Sequence, residues 1–155
     1  MRDLRVNVWN TVTIAADGAT NGVTIDLLAD YVGDYLWGTG DYGLGIEIMG
    51  KNVVTGTGDG FTVTFKWQHS PDNANWHDLG QIGVFTIDTN GAFLLADGTT
   101  VSSLTRQILK TRTESAQRYL RIVATAAGIT NGESIDISAF LADGTVDAAN
   151  AGTLF

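Results

Sequence analysis

The chain contains no cysteine and only one proline. The absence of cysteine excludes a disulfide framework, a thiolate zinc site and a cysteine nucleophile. No stretch reaches the roughly 18 consecutive apolar residues of a membrane span, and the first residues, MRDLRVNVWN, lack the apolar segment of a secretory signal. We therefore expect neither a transmembrane helix nor a cleaved signal peptide.

Common catalytic motifs are also missing. The sequence has no G-x-S-x-G, no P-loop, no H-E-x-x-H and no G-x-G-x-x-G that precedes a predicted helix. Four acidic residues, Asp26, Asp30, Asp34 and Asp41, leave open a carboxylate pair of the kind that cleaves glycosides. In an acidic protein, such residues also serve as turn formers and solvated charges. We predict that the chain is not an enzyme and that it needs no cofactor.

Acidic side chains outnumber basic ones, and the formal net charge is −8. Because binding to nucleic acid requires a basic face, this charge argues against a DNA- or RNA-binding function. Five of the nine lysines and arginines nevertheless fall in one short window, at Arg106, Lys110, Arg112, Arg118 and Arg121. This basic window is predicted either to contact an acidic partner or to balance local acids on a solvated strand face.

Alternation of apolar and polar residues predicts β-strands through most of the chain. It is clearest at residues 61–68, FTVTFKWQ, which the turn residues SPDNAN at 70–75 connect to a second strand. We predict strands at Leu4–Ile14, Gly22–Leu28, Leu44–Val54, Phe61–His69, Trp76–Asp88, Tyr119–Thr125 and Ser134–Leu141, with at most one short helix, for which only Val101–Lys110 is a candidate. Together with 19 glycines, this pattern predicts an all-β sandwich of jelly-roll type, with seven to ten strands and extended termini.

One domain is predicted at residues 15–145, preceded by an N-terminal arm or first strand at 1–14 and followed by a tail at 146–155. Asn-Gly and Ala-Asp-Gly each occur three times and supply the positive φ angles of tight turns. Residues 20–26 resemble residues 130–136, which predicts that these two segments are neighbours in a sheet, although shared turn chemistry also explains the likeness.

Two histidines, His69 and His77, flank the predicted hairpin turn. A metal site is conceivable if both imidazoles reach one face of the sheet. Only two nitrogen ligands would be present, however, and the loop lacks the oxygen-ligand spacing of a calcium site, with Ala74 where a ligand should stand. We therefore predict no metal.

Three segments together resemble the small β-sandwich virion proteins of tailed bacteriophages. The first is WQHSPDNANW at 67–76 with DLG at 78–80, the second is AQRYLRI at 116–122, and the third is GESIDI at 132–137. The pattern is most similar to the capsid cement, or decoration, proteins, and it spans roughly residues 15–145. Tail-tube and head-completion proteins share parts of the second segment.

The resemblance implies a structural protein without catalytic activity. Such a protein would be made in the host cytoplasm and would bind the outer surface of the capsid as a homotrimer or homodimer, with the major capsid protein as its partner. We expect the termini and the basic window to carry the contacts, with Trp9, Leu154 and Phe155 as apolar anchors and Arg106, Arg112, Arg118 and Arg121 as polar contacts. A carbohydrate-binding module is one alternative, because tryptophans and tyrosines outside the core runs, such as Trp37, could stack on sugars. A tail or head-completion protein is the other.

Overall fold

The computed structural model describes residues 7–26, 44–56, 60–111, 117–130 and 132–142. These residues form eleven β-strands and no helix. The strands are β1 (Asn7–Ile14), β2 (Gly18–Asn21), β3 (Ile25–Asp26), β4 (Leu44–Val54), β5 (Phe61–Ser70), β6 (His77–Ile87), β7 (Phe93–Leu94), β8 (Thr100–Val101), β9 (Leu104–Thr111), β10 (Tyr119–Ala127) and β11 (Ser134–Ala142).

The strands form two antiparallel sheets. The four-stranded sheet has the order β1-β11-β4-β9, and the larger sheet has the order β2-β10-β5-β6-β7-β8, with β3 also paired to β10. The predicted all-β sandwich is confirmed. The count exceeds the predicted seven to ten because three of the strands, β3, β7 and β8, are only two residues long.

The core lies between the inner faces of the two sheets. In β5 every second residue from Phe61 to Trp67 is buried, as the alternation predicted. An aromatic row crosses this core, since Phe85 packs edge-on against Phe65 at 4.9 Å and against Phe93 at 5.5 Å between ring centroids. Ile46, Ile48, Leu120, Ile122, Ile135 and Ile137 are buried at alternate positions of β4, β10 and β11, whereas Val23, between β2 and β3, is exposed.

Strand β1 is irregular. Thr11 has a φ of 62°, and the register with β11 shifts between Asn7 and Trp9 and again between Trp9 and Val12. A bulge places consecutive residues where regular alternation would separate them, and Val8 and Trp9 are both buried. β1 pairs with β11 from Asn7 to Ile14, so the segment 1–14, predicted to be an arm or first strand, contains the first strand of the four-stranded sheet.

Among the described residues, the candidate helix at Val101–Lys110 is not formed, and one further prediction is wrong. Most of the segment Val101–Lys110 is strand β9, which pairs with β4 from Leu104 to Thr111. Its leucine, arginine, glutamine and lysine favour a helix, but helix propensity is a small effect, and pairing at the edge of a sheet overrides it. The similar segments at 20–26 and 130–136 are also not neighbours, because β2 and β3 pair with β10 in the larger sheet whereas β11 belongs to the other.

The turn motifs behave largely as predicted. Gly18, Gly91, Gly98 and Gly132 all have positive φ, the conformation that glycine adopts without steric cost. Gly22, the glycine of another Asn-Gly pair, serves a different purpose. A Cβ atom there would lie 2.6 Å from Val8 Cγ1 and 3.1 Å from the carbonyl oxygen of Ile122, so this position requires glycine for close packing between the two sheets.

Candidate functional site

The outer face of the larger sheet carries a chain of connected polar side chains beside the β5–β6 hairpin turn. Lys66 and Gln68 of β5 and Arg121 of β10 alternate with buried residues and therefore point away from the core. The strand register places Arg121 opposite Gln68, and Gln68 opposite Asp78 of β6. We call Lys66, Gln68, Trp76, Asp78 and Arg121 the Arg121 cluster.

Hydrogen bonds connect four members of the cluster in series. Arg121 Nε and Nη2 both donate to Gln68 Oε1, at 3.0 and 2.8 Å. The amide nitrogen of Gln68 donates to Asp78 Oδ1 at 2.8 Å, and Lys66 Nζ donates to Asp78 Oδ2 at 2.7 Å. These bonds also fix the amide orientation of Gln68, whose oxygen must face the guanidinium and whose nitrogen must face the carboxylate.

The fifth member, Trp76, lies against the guanidinium of Arg121. The guanidinium carbon is 4.0 Å from the centroid of the indole ring, which is within the range of a cation–π contact. Stacking on an aromatic face suits the planar guanidinium and restricts its side chain to one orientation. Arg121 is therefore held by Trp76 and by Gln68 together.

The cluster is positively charged within an acidic protein. Lys66 and Arg121 are cations and Asp78 is its single carboxylate, so one positive charge remains. The hydrogen bond from Lys66, followed by that from Gln68, holds the pKa of Asp78 below its ordinary value. Burial lowers the pKa of the Arg121 guanidinium, although an arginine side chain stays protonated in proteins.

The hairpin turn next to the cluster is fixed by one aspartate. Asp72 Oδ1 accepts hydrogen bonds from the backbone nitrogens of Asn75 and Ala74 and from Ser70 Oγ, at 2.8, 3.0 and 2.9 Å. Its other oxygen accepts one from the side chain of Asn75 at 2.7 Å. These bonds, the one from the Asn75 backbone above all, lower the pKa of Asp72, and they give the turn a defined shape.

Arg118 lies near the start of β10 and forms an ion pair with β3. Its Nε and Nη2 donate to the two carboxylate oxygens of Asp26 at 3.0 and 2.8 Å, and its guanidinium carbon lies 4.9 Å from the centroid of the Tyr119 ring. The bond to Asp26 raises the pKa of Arg118. The carboxylate that Arg118 contacts therefore lies within the chain.

The two histidines do lie together, because the strand register pairs His69 directly with His77 and their ring centroids are 6.4 Å apart. His69 Nδ1, however, accepts a hydrogen bond from the backbone nitrogen of Gln117 at 3.3 Å. A neutral imidazole that accepts at Nδ1 carries its proton on Nε2, which then has no lone pair for a metal. Within the described ranges, no group of three or more histidine, aspartate or glutamate side chains could hold a metal ion.

The structure also places several of the remaining predicted site residues. Trp9 was predicted to contact a partner, but its side chain is 6% exposed and belongs to the core, because the bulged strand β1 turns it inward. Arg106 lies in β9 opposite Ile48. Arg112, Leu154, Phe155, Trp37, Asp30, Asp34 and Asp41 lie outside the described residues, and Asp26, the fourth of the suggested acidic group, pairs with Arg118.

The sequence reasoning identified Arg121 but missed the side chains that surround it. The sequence did contain a signal for part of this cluster. If His69 pairs with His77 across the turn, the same register places Gln68 opposite Asp78. The structure also shows that two segments of the noted sequence pattern meet here. Trp76 and Asp78 come from the first segment and Arg121 from the second.

A scan against protein-family models found no match, and a search of curated proteins found no significantly similar sequence. Among the described residues, no helix is long and apolar enough to cross a membrane.

Proposed function

We propose that this protein is a capsid cement protein of a tailed bacteriophage, which binds the outside of the head and bridges neighbouring capsomers. The observation that supports this proposal most directly is the Arg121 cluster. A tryptophan and an arginine, the residue types most enriched at binding hot spots, are held in one fixed arrangement on the outer face of a sheet. They also belong to the segments in which the chain resembles cement proteins.

The strand order adds support. With β3, β7 and β8 set aside, the remaining eight strands form one sheet of order β1-β11-β4-β9 and another of order β2-β10-β5-β6. This arrangement fits two interlocked Greek keys in a pair of four-stranded sheets, which is the jelly-roll plan expected from the resemblance.

The proposed mechanism requires no turnover. A protein that binds the assembled shell, but not its separated subunits, stabilises the assembled state by an amount that increases with the logarithm of its free concentration relative to its Kd. A specific interface of this kind buries about 1,200–2,000 Å² in total, which a rigid sandwich supplies without a large cost in ordering. The major capsid protein is the partner, and the cement protein itself is a homotrimer or homodimer on the shell.

The test is co-sedimentation of the purified protein with shells assembled from the major capsid protein encoded in the same genome. Saturable binding to expanded shells, together with an increased temperature of shell disruption, is the expected result. Binding to a glycan array that is lost in Trp37→Ala, with no binding to shells, would instead support the carbohydrate-binding alternative.

A further inference from the structure

Among the described residues, one edge of the Arg121 guanidinium has no hydrogen-bond acceptor. Both hydrogen bonds that it donates, from Nε and from Nη2, go to the single amide oxygen of Gln68. A guanidinium has five N–H donors in a planar fork, and the described part of the chain provides no acceptor for those on Nη1. One edge of the group is therefore occupied and the other is not.

In contrast to its neighbours, Arg121 also has no compensating carboxylate within the part of the chain that the structure describes. Lys66 pairs with Asp78 at 2.7 Å and Arg118 pairs with Asp26 at 2.8 Å. Arg121 instead bonds to a neutral amide, and within the described ranges it has no carboxylate in contact. A half-buried cation held by a neutral group attracts an external anion more strongly than a cation that is already paired.

The surrounding residues fix the guanidinium before any partner arrives. Trp76 covers one face of the group at 4.0 Å, and Gln68 is itself anchored by Asp78, which Lys66 holds in turn. Rotamer freedom that is already lost in the unbound protein is not lost again on binding, which increases affinity.

We propose that Arg121 is the anchor of the docking surface and that a carboxylate of the shell protein pairs with the free edge of its guanidinium, beside the ring of Trp76. A carboxylate fits the fork through two parallel hydrogen bonds, whereas a neutral acceptor gains no charge compensation. This inference rests on the proposed function and adds to it the chemistry of the partner group.

The experiment compares shell binding by variants that leave the fold intact, as checked by thermal unfolding. Arg121→Gln removes the charge and should weaken binding about 30-fold or more, the effect of losing a hot-spot residue. Lys51→Gln, which removes one cation from the other sheet, is the matched control and should change binding less than about threefold.

Gln68→Glu provides a second variant that retains Arg121. The new carboxylate would pair with the guanidinium from within the chain, so shell binding should fall although the anchor is still present and folded. Because Gln68→Glu also loses the hydrogen bond to Asp78, its control is Gln68→Met, which loses that bond without adding a charge; the carboxylate inference requires a larger loss of binding in Gln68→Glu than in Gln68→Met.

The outcomes separate the two proposals. If the wild-type protein binds shells and both Arg121→Gln and Gln68→Glu bind equally well, the carboxylate inference is wrong and the cement function stands. If the wild-type protein does not bind shells, the cement function itself fails. If the variants instead alter only self-association in sedimentation equilibrium, the anchor serves a second copy of the chain, and the inference as stated is overturned.

Discussion

The indole nitrogen of Trp9 donates a hydrogen bond to the backbone carbonyl of Asn21 at 3.2 Å. Trp9 lies in β1 of the four-stranded sheet and Asn21 lies in β2 of the larger sheet, so this bond connects the two layers. The ring also packs against Phe65, with the centroids 6.3 Å apart.

Replacement of Trp9 should therefore affect folding rather than shell binding. Trp9→Phe leaves a carbonyl without its partner and should lower the free energy of unfolding by about 1–2 kcal/mol. Trp9→Ala also leaves a cavity and should lower it by about 3–5 kcal/mol. Urea denaturation measures both values. A folded Trp9→Phe variant that loses shell binding would instead restore Trp9 as a contact residue.

Gly50 is required by the aromatic row. A Cβ atom at this position of β4 would lie 2.8 Å from ring atoms of Phe93 and 3.0 Å from Phe85. Gly50→Ala should therefore destabilise the protein by about 1–3 kcal/mol through overpacking. Gly80→Ala is the matched control, because a Cβ atom at that strand position meets nothing within 4 Å. Equal unfolding midpoints for the two variants would contradict this account.

Stability should decrease in acid because of aspartates such as Asp72 and Asp136. Their hydrogen bonds lower the pKa of each carboxyl, for Asp136 chiefly the bond from Thr13 and then that from Asn52. The unfolded chain then binds more protons than the folded chain, so the stabilisation is complete above about pH 4 and is lost as the pH falls through the lower folded pKa values.

The check on this prediction is urea denaturation at pH 7 and at pH 3. Asp72→Asn and Asp136→Asn should be less stable than the wild-type protein at pH 7, and the difference should shrink at pH 3. A difference that stays constant between the two pH values would show that these carboxylates do not contribute to acid unfolding.

The ion pair between Arg118 and Asp26 should contribute little to stability. The Arg118 side chain is 44% exposed, and water and salt screen such pairs. In a double-mutant cycle with Arg118→Gln and Asp26→Asn, we expect a small coupling energy that decreases further in 1 M salt. A coupling that does not depend on salt concentration would indicate a desolvated pair instead.

The sequence was sufficient to predict the sandwich because its strands alternate cleanly. The predicted strand Leu44–Val54 agrees at both ends with β4, and Phe61–His69 falls one residue short of β5. Alternation reports which face is buried, but it does not report the sheet to which a strand belongs. The partners of β2 and β11 were therefore predicted incorrectly, since their similar turns carry no information about long-range pairing.

The candidate site was less predictable for a related reason. Arg121 stood out in the sequence as part of the basic window, but its role depends on Gln68 and Trp76, which lie 53 and 45 positions earlier in the chain. Only the pairing of β10 with β5 brings these side chains together. Trp9 was mistaken for a surface residue because a bulge reverses the facing that simple alternation assigns.

The two register shifts in β1 also have a consequence for solubility. β1 is an edge strand, and a regular edge exposes a row of backbone donors and acceptors on which another chain could add a strand. Thr11 interrupts that row with its positive φ, so the edge offers no long, flat template for addition. The irregularity that turns Trp9 into the core thereby also protects concentrated protein from edge-to-edge aggregation into fibres.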